Sequence, residues 1–231
     1  MTTKITGNAS TSHAFRARSF GGKAVAAAFL AVALAGGAVP AVAQQPAATA
    51  EAADPAVAKV KGFYDALLSG MKQAKQLGVK GRAEKLDPVI KSTFDLATMT
   101  RLAVGPAWEK FTPEQQQGAI DAFTKVTVAT YANQFDGFNG EVFDVDPTPK
   151  ARGADKIVET KLTPAGQPPV ALNYLMRGQG DQARIVDVYL NGTISQLATR
   201  RSEFSAAVQQ GGADALIQGL QQQAEKLLAG A

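Results

Sequence analysis

The side chains that most often carry out chemistry are scarce in this sequence. Its single His is His13, and it has no Cys. The chain after residue 43 therefore lacks the Ser-His-Asp and Cys-His arrangements of nucleophilic hydrolases and the His- or Cys-based zinc sites. It also has no Gly-x-Ser-x-Gly elbow, no phosphate-binding Gly-rich loop and no dinucleotide fingerprint. Carboxylates and lysines are what remain. Glu141, Asp144 and Asp146 are the densest acidic group, and Asp144 and Asp146 share one side of an extended chain. No calcium-loop spacing accompanies them, so they read as a solvated strand end ahead of a hard-cation site. Asp187 sits within the apolar run Ile185-Val186-Asp187-Val188-Tyr189. A carboxylate there needs a partner, and a hydrogen bond to backbone or to an Arg is expected ahead of a catalytic role. Arg200-Arg201 reads as a solvated helix face first, and as a contact for an anionic head group or partner second.

The more telling pattern is apolar. Val170, Leu172, Tyr174 and Met176 alternate with Ala171, Asn173 and Leu175, which puts the first set on one face of a strand. Val158, Thr160 and Leu162 make a similar row, as do Phe143 and Val145. Helical segments offer Met99, Phe123, Tyr131 and Phe135 to face them. Such rows ordinarily form a core. Periodicity alone does not distinguish a filled core from a lined cavity.

The elements that must position these rows are legible. Asp54-Pro55 is an N-cap followed by Pro at the first helical position, and Val57, Val60, Phe63, Tyr64, Leu67, Leu68 and Met71 follow at helical spacing. Gly78 and Gly81 mark a break before a short helix from Leu86 to Phe94. Asp95 then caps Leu96, Met99, Leu102 and Ala103, and Gly105-Pro106 ends that helix. Thr112-Pro113-Glu114-Gln115 opens a long helix to about Phe135, with Ile120, Phe123, Thr127, Thr130, Tyr131 and Phe135 on one face. Four runs have strand character: Glu141–Val145, Lys156–Leu162, Val170–Met176 and Arg184–Leu190. Pro147-Thr148-Pro149, Gly166-Gln167-Pro168-Pro169 and Gly178-Gln179-Gly180-Asp181 separate them. These connections are too short for crossover helices, so the sheet is expected to be antiparallel. Thr193 starts another helix, and Gly211-Gly212 divides it from a last one, Ala213 to Leu228. The fold class that follows is α+β, a four-stranded antiparallel sheet packed with several helices around an apolar pocket.

Charge and the N-terminal segment bear on location. The formal net charge is +4, but Lys4, Arg16, Arg18 and Lys23 fall in residues 1–43, which hold no Asp or Glu. Removing these four of the 24 basic residues leaves 20 against 20 acidic ones. A neutral domain lacks the footprint of a nucleic-acid binder. The basic start, the apolar run Ala24–Leu34, the breakers Gly36-Gly37 and Pro40, and the small residues Ala41-Val42-Ala43 read as a cleaved signal peptide spanning 1–43. A retained membrane anchor is the second reading of that segment. Residues 44–53, rich in Ala with Gln, Pro and Thr, read as a flexible linker, and 54–231 as the folded domain.

Several ordered motifs resemble the MlaC / toluene-tolerance family. They begin at Val104-Gly105-Pro106-Ala107-Trp108 and Thr112-Pro113-Glu114-Gln115-Gln116, followed by Ala122-Phe123 and Tyr131 on the long helix. Asn173-Tyr174-Leu175-Met176, Ile185-Val186-Asp187-Val188 with Asn191-Gly192, Arg201-Ser202-Glu203-Phe204, and Gly211-Gly212 with Leu216-Ile217 continue the series. The resemblance covers about residues 54–228. Many members have Trp where this chain has Ala183 and Tyr where it has Arg200. Its segment from Gly192 to Ser202 is one residue longer than in the phospholipid carriers, and Phe135-Asp136 follows the long helix. These features resemble the hopanoid-biosynthesis-associated branch, HpnM. The resemblance implies a monomeric periplasmic carrier, not an enzyme. It would take a phospholipid or hopanoid in a hydrophobic pocket and pass it between membrane transporter complexes, without a cofactor. The implied lipid contacts are Met99, Phe123, Tyr131, Phe143, Leu162, Leu172, Tyr174 and Met176. A membrane-associated scaffold of hopanoid biosynthesis without carrier activity is the alternative.

Overall fold

The structure, a computed structural model, describes residues 54–230. The expected signal peptide at 1–43 and linker at 44–53 lie outside the described residues.

Helix α1 spans Pro55–Lys72 and starts where the cap signal places it: the Asp54 carboxylate accepts from the Ala56 N–H at 2.9 Å. Val57, Val60, Phe63, Tyr64, Leu67 and Met71 are buried, and Leu68 is half-buried. Helix α2, Ala74–Thr93, absorbs the short helix expected from Leu86 to Phe94. The break at Gly78 (φ 59°) is a kink inside it, a left-handed conformation that Gly adopts without a steric penalty. Helix α3, Leu96–Val104, is capped by Asp95 and stops at Gly105 (φ 68°). A tight 3-10 segment, Gly105–Lys110, buries Trp108 against Phe111. Helix α4, Pro113–Gln134, opens with a full capping box between Thr112 and Gln115. Its buried face is broader than the expected one. Ala119, Ala122, Val126, Val128, Ala129 and Ala132 are buried beside Phe123, because α4 packs on both α2 and α5.

Seven short antiparallel strands follow where four were expected. They are β1 Val142–Val145, β2 Lys150–Arg152, β3 Asp155–Val158, β4 Thr160–Thr163, β5 Val170–Arg177, β6 Arg184–Leu190 and β7 Ile194–Ser195. The extra strands come from bends. β3 pairs with β5 as Val158↔Tyr174, and β4 pairs with β5 as Leu162↔Val170 in the same register. The expected run Lys156–Leu162 is thus one strand bent at Glu159. Pro147-Thr148-Pro149 corrects another expectation. It interrupts a strand rather than turning it: the chain continues into β2, which pairs back on β3. The reversal comes at Gly153 (φ 62°). Proline lacks a ladder donor, so Pro147 and Pro149 break pairing without reversing the chain. Thr193 does not begin the last helix. It lies in the turn after Asn191 and Gly192, both at positive φ, and β7 precedes α5, Gln196–Leu228. Gly211-Gly212 kinks α5 as expected, with Gly212 at φ 71°.

The helices cover one face of the sheet, and a single apolar cluster runs from α1 through α4 to α5. α4 and α5 approach closely: a Cβ on Gly118 would stand 3.2 Å from the Ile217 side chain.

Candidate functional site

Strand pairing decides which side chains share the helix-covered face. Tyr174 pairs with Val158 and Val188, and Val170 pairs with Leu162, which pairs with Phe143. Leu172 pairs with Leu190, which pairs with Ile194. Side chains alternate along each strand, so all of these lie on one face. Coverage along that face is uneven. Val158, Tyr174 and Met176 are buried, whereas Phe143, Leu162, Val170, Leu172 and Leu190 are half-buried and Ile194 is 50% exposed. The result is a continuous apolar strip that emerges from beneath the helices.

Its covered end is a layer of interlocked rings. Phe63 of α1 meets Tyr131 of α4 edge-on at 5.2 Å and Phe94 at 5.3 Å, and lies 6.4 Å from Tyr174 of β5. Tyr64 stands 4.5 Å from Phe143 and 5.8 Å from Tyr174. Phe135 bridges Tyr131 and Phe143 at 5.9 and 6.0 Å. These edge-on and offset contacts suit the ring quadrupoles. They pack the covered end of the face, where a pocket was expected. An empty apolar space would cost its lining those dispersion contacts.

The layer contains hydroxyl groups. Tyr64 Oη lies 2.5 Å from Thr160 Oγ1, and Thr160 Oγ1 donates to the Leu172 carbonyl. Burial pushes the Tyr64 hydroxyl up to about 12, with its bond to Thr160 opposing the rise. Burial also raises the Tyr131 and Tyr174 hydroxyls, and neighbouring tyrosines add to both. All three rings therefore stay neutral across the physiological range.

The expected contacts divide. Tyr131, Phe143 and Tyr174 come together in the ring layer, and Leu162 and Leu172 lie on the emerging strip. Met176 is buried opposite Ile185. Phe123 lies apart, 5.6 Å edge-on to Phe204 of α5. Met99 is buried on α3, which packs on α4 and α5. Phe63, Tyr64, Leu190 and Ile194 were not among the expected contacts. The helical spacing of Phe63 and Tyr64 was visible, but not that α1 packs on β1 and β3 and brings both rings to Tyr174.

The charged candidates have structural partners. The Asp187 carboxylate accepts from Ser195 Oγ at 2.6 Å and from the N–H groups of Leu197 and Val188 at 3.0 and 2.7 Å. It ties β6 to the positive end of α5, which is the expected backbone role. Asp146 accepts from the Thr148 N–H and Glu141 from the Asn139 N–H, at an exposed strand end. Arg200 pairs with Glu203 at 2.8 Å, and Arg201 lies over Gly105. Two open surface clefts complete the picture. One of about 360 Å³ is lined by Lys91, Asp95, Asp121 and Arg184 and reaches the ring layer only at Phe94. Another, of about 280 Å³, lies beside Arg152, Glu159 and Tyr189.

No match was found among curated proteins. Among solved structures, the chain is similar to the phospholipid-binding protein from Ralstonia solanacearum, determined in complex with a phospholipid. The two are 25% identical with a TM-score of 0.65, over 74% of this chain and 98% of that one. The family model described as MlaC protein matches residues 61–222, and this chain belongs to the MlaC family.

Proposed function

We propose that this protein binds a lipid on the helix-covered face of its sheet and carries it through an aqueous compartment. The observation that carries the reading is the apolar strip that runs from exposed Ile194 and half-buried Leu172 into the Tyr64–Tyr131–Tyr174 layer. An acyl chain of about fourteen CH₂ groups is held in its membrane by roughly 11 kcal/mol, so free diffusion through water is sparse. A protein lowers that barrier with apolar area alone. The closed ring layer parts to admit the guest, and the contacts given up on opening keep binding reversible.

The phospholipid in the Ralstonia solanacearum relative supports a phospholipid cargo, with a hopanoid as the alternative suggested by the HpnM-like features. The leader-like segment at 1–43 supports a periplasmic location, with membrane complexes as donors and acceptors and the carrier acting as a monomer. Catalysis has no place in this reading.

The test is direct. Protein purified under native conditions is extracted and the extract analysed by mass spectrometry, and delipidated protein is mixed with phospholipid vesicles. Co-purified lipid and uptake from vesicles are expected. Lipid-free protein that takes up nothing would sink the reading.

A further inference from the structure

The larger surface cleft, of about 360 Å³, falls in the size range of small-molecule sites, roughly 300–1,000 Å³. Four elements build it. The end of α2 supplies Lys91 and Phe94, the start of α3 Asp95, α4 Asp121 and Thr124, and β6 Arg184. Its walls are tied through the backbone: the Asp95 N–H donates to the Ile185 carbonyl at 2.9 Å, and Arg184 donates to the Ser92 carbonyl. The lining thus holds two cations and two carboxylates, yet among the described residues no ion pair joins them. Lys91 pairs instead with Asp87 at 2.8 Å. Asp121 accepts from the neutral Gln117 amide at 2.9 Å, and Asp95 from the Thr98 N–H at 3.0 Å. Opposite charges therefore stand around one space, too far apart to neutralise each other. The floor is apolar. Phe94 is 3% exposed and lies 5.3 Å from Phe63 and 5.8 Å from Tyr131, so one ring bounds both the cleft and the ring layer. From that end, the pairing of Met176 with Ile185 leads along β5 and β6 to Leu172 and Leu190 on the emerging strip.

We propose that this cleft holds the head group of a zwitterionic phospholipid whose chains enter the ring layer past Phe94. Arg184 and Lys91 take the phosphate, and Asp121 and Asp95 the ammonium. This assignment rests on the lipid-binding reading and narrows its cargo. A lining of zero net charge that presents both signs complements a head group of zero net charge that carries both. The ammonium of an ethanolamine head also donates hydrogen bonds, which carboxylates accept. An anionic head brings a phosphate without a cation and sets added negative charge against the two carboxylates. An uncharged alcohol head displaces water from four charged groups and returns only weaker bonds.

The probes are vesicles of equal parts phosphatidylethanolamine and phosphatidylglycerol with matched acyl chains, mixed with delipidated protein. The protein is re-isolated and extracted, and mass spectrometry gives the ratio of the two lipids taken up. Both lipids come from the same vesicle, so a change in membrane docking cancels. The unmodified protein is expected to favour the ethanolamine lipid by about threefold, the scale of one exposed charge pair. Asp121→Asn should bring the ratio close to that of the vesicle, and Asp121→Lys should invert it. Asp121 is exposed on α4, so both variants keep the fold. Glu225→Lys makes the same change of net charge near the other end of α4. Asn133 donates there to the Leu227 carbonyl, about 18 Å along the helix from Asp121 and about twice the screening length at physiological salt. That variant should leave the ratio unchanged. A ratio equal to the vesicle's in the unmodified protein, or one that does not move in Asp121→Lys, overturns the head-group assignment and leaves lipid binding standing. A shift in Glu225→Lys as large as that in Asp121→Lys overturns it as well. Uptake of neither lipid by the unmodified protein would overturn both readings together.

Discussion

Tyr64 of α1 and Thr160 of β4 are joined by a 2.5 Å hydrogen bond inside an otherwise apolar layer. The contact fastens the first helix to the strand bend at Glu159, and its two ends are 96 residues apart in the chain. The two members are not equivalent. Tyr64→Phe leaves Thr160 still bonded to Leu172, and a loss of about 1 kcal/mol is expected. Thr160→Val strands both the Tyr64 hydroxyl and the Leu172 carbonyl, and about 2–4 kcal/mol is expected. Urea denaturation of the two variants checks the order, and equal losses would contradict Thr160 as the donor to the Leu172 carbonyl.

The same burial makes the fold sensitive to alkali. The Tyr64 hydroxyl is raised from 10.0 to about 12 in the folded state, so the folded protein holds its proton more tightly than the unfolded chain. Its contribution to stability is complete below about pH 10 and is lost as pH rises towards 12. Tyr131 and Tyr174, raised in the same direction, steepen the decline. The urea midpoint should fall between about pH 9 and pH 11, and fall less in Tyr64→Phe.

Asp187 should matter for stability rather than for turnover. Asp187→Ala removes the acceptor shared by Ser195 Oγ and the Leu197 N–H at the start of α5. A loss of about 3 kcal/mol is expected, with Asp187→Asn intermediate because one oxygen still accepts. Thermal unfolding followed by circular dichroism provides the measurement.

Two glycines should respond in opposite senses. Gly105→Ala meets a left-handed φ of 68° and the Arg201 guanidinium 3.4 Å from the new Cβ, and a cost of about 1–2 kcal/mol is expected. Gly62 is helical in α1 with nothing within 4 Å of a Cβ, so Gly62→Ala should stabilise by about 0.5–1 kcal/mol. Both values come from paired denaturation curves.

The strip and the ring layer can be separated by charge. Tyr174→Asp puts an unpaired carboxylate at a position 1% exposed and should unfold the domain. Ile194 is 50% exposed, so Ile194→Asp should leave the fold intact while lowering lipid uptake from vesicles several-fold. Unchanged uptake by folded Ile194→Asp protein would remove that end of the strip from the site.

The order of helices and strands was written locally. Asp54-Pro55, Asp95 and Thr112 with Gln115 cap helices through atoms two or three residues away, so the sequence marks those starts within a residue or so. Strand faces were legible for the same reason, since alternation has a period of two. The bends were not. Pro147 and Pro149 read as a turn because nothing nearby in sequence reveals that Lys150–Arg152 pairs back on Ile157. Thr193 read as a cap because Thr193 and Ser195 offer the same local signal, and the Asp187 bond that engages Ser195 comes from another strand.

Local pattern was enough to assign apolar side chains to faces, to give an α+β fold, and to leave the folded domain without His or Cys. Tertiary structure alone decided that Tyr131, Phe143 and Tyr174 meet while Phe123 turns to Phe204, and that Tyr174 is enclosed while Leu172 is half-open. The physical reason is range. Dihedral preferences and hydrophobic periodicity act over a few residues, whereas coverage of a sheet face depends on where helices from distant parts of the chain come to rest.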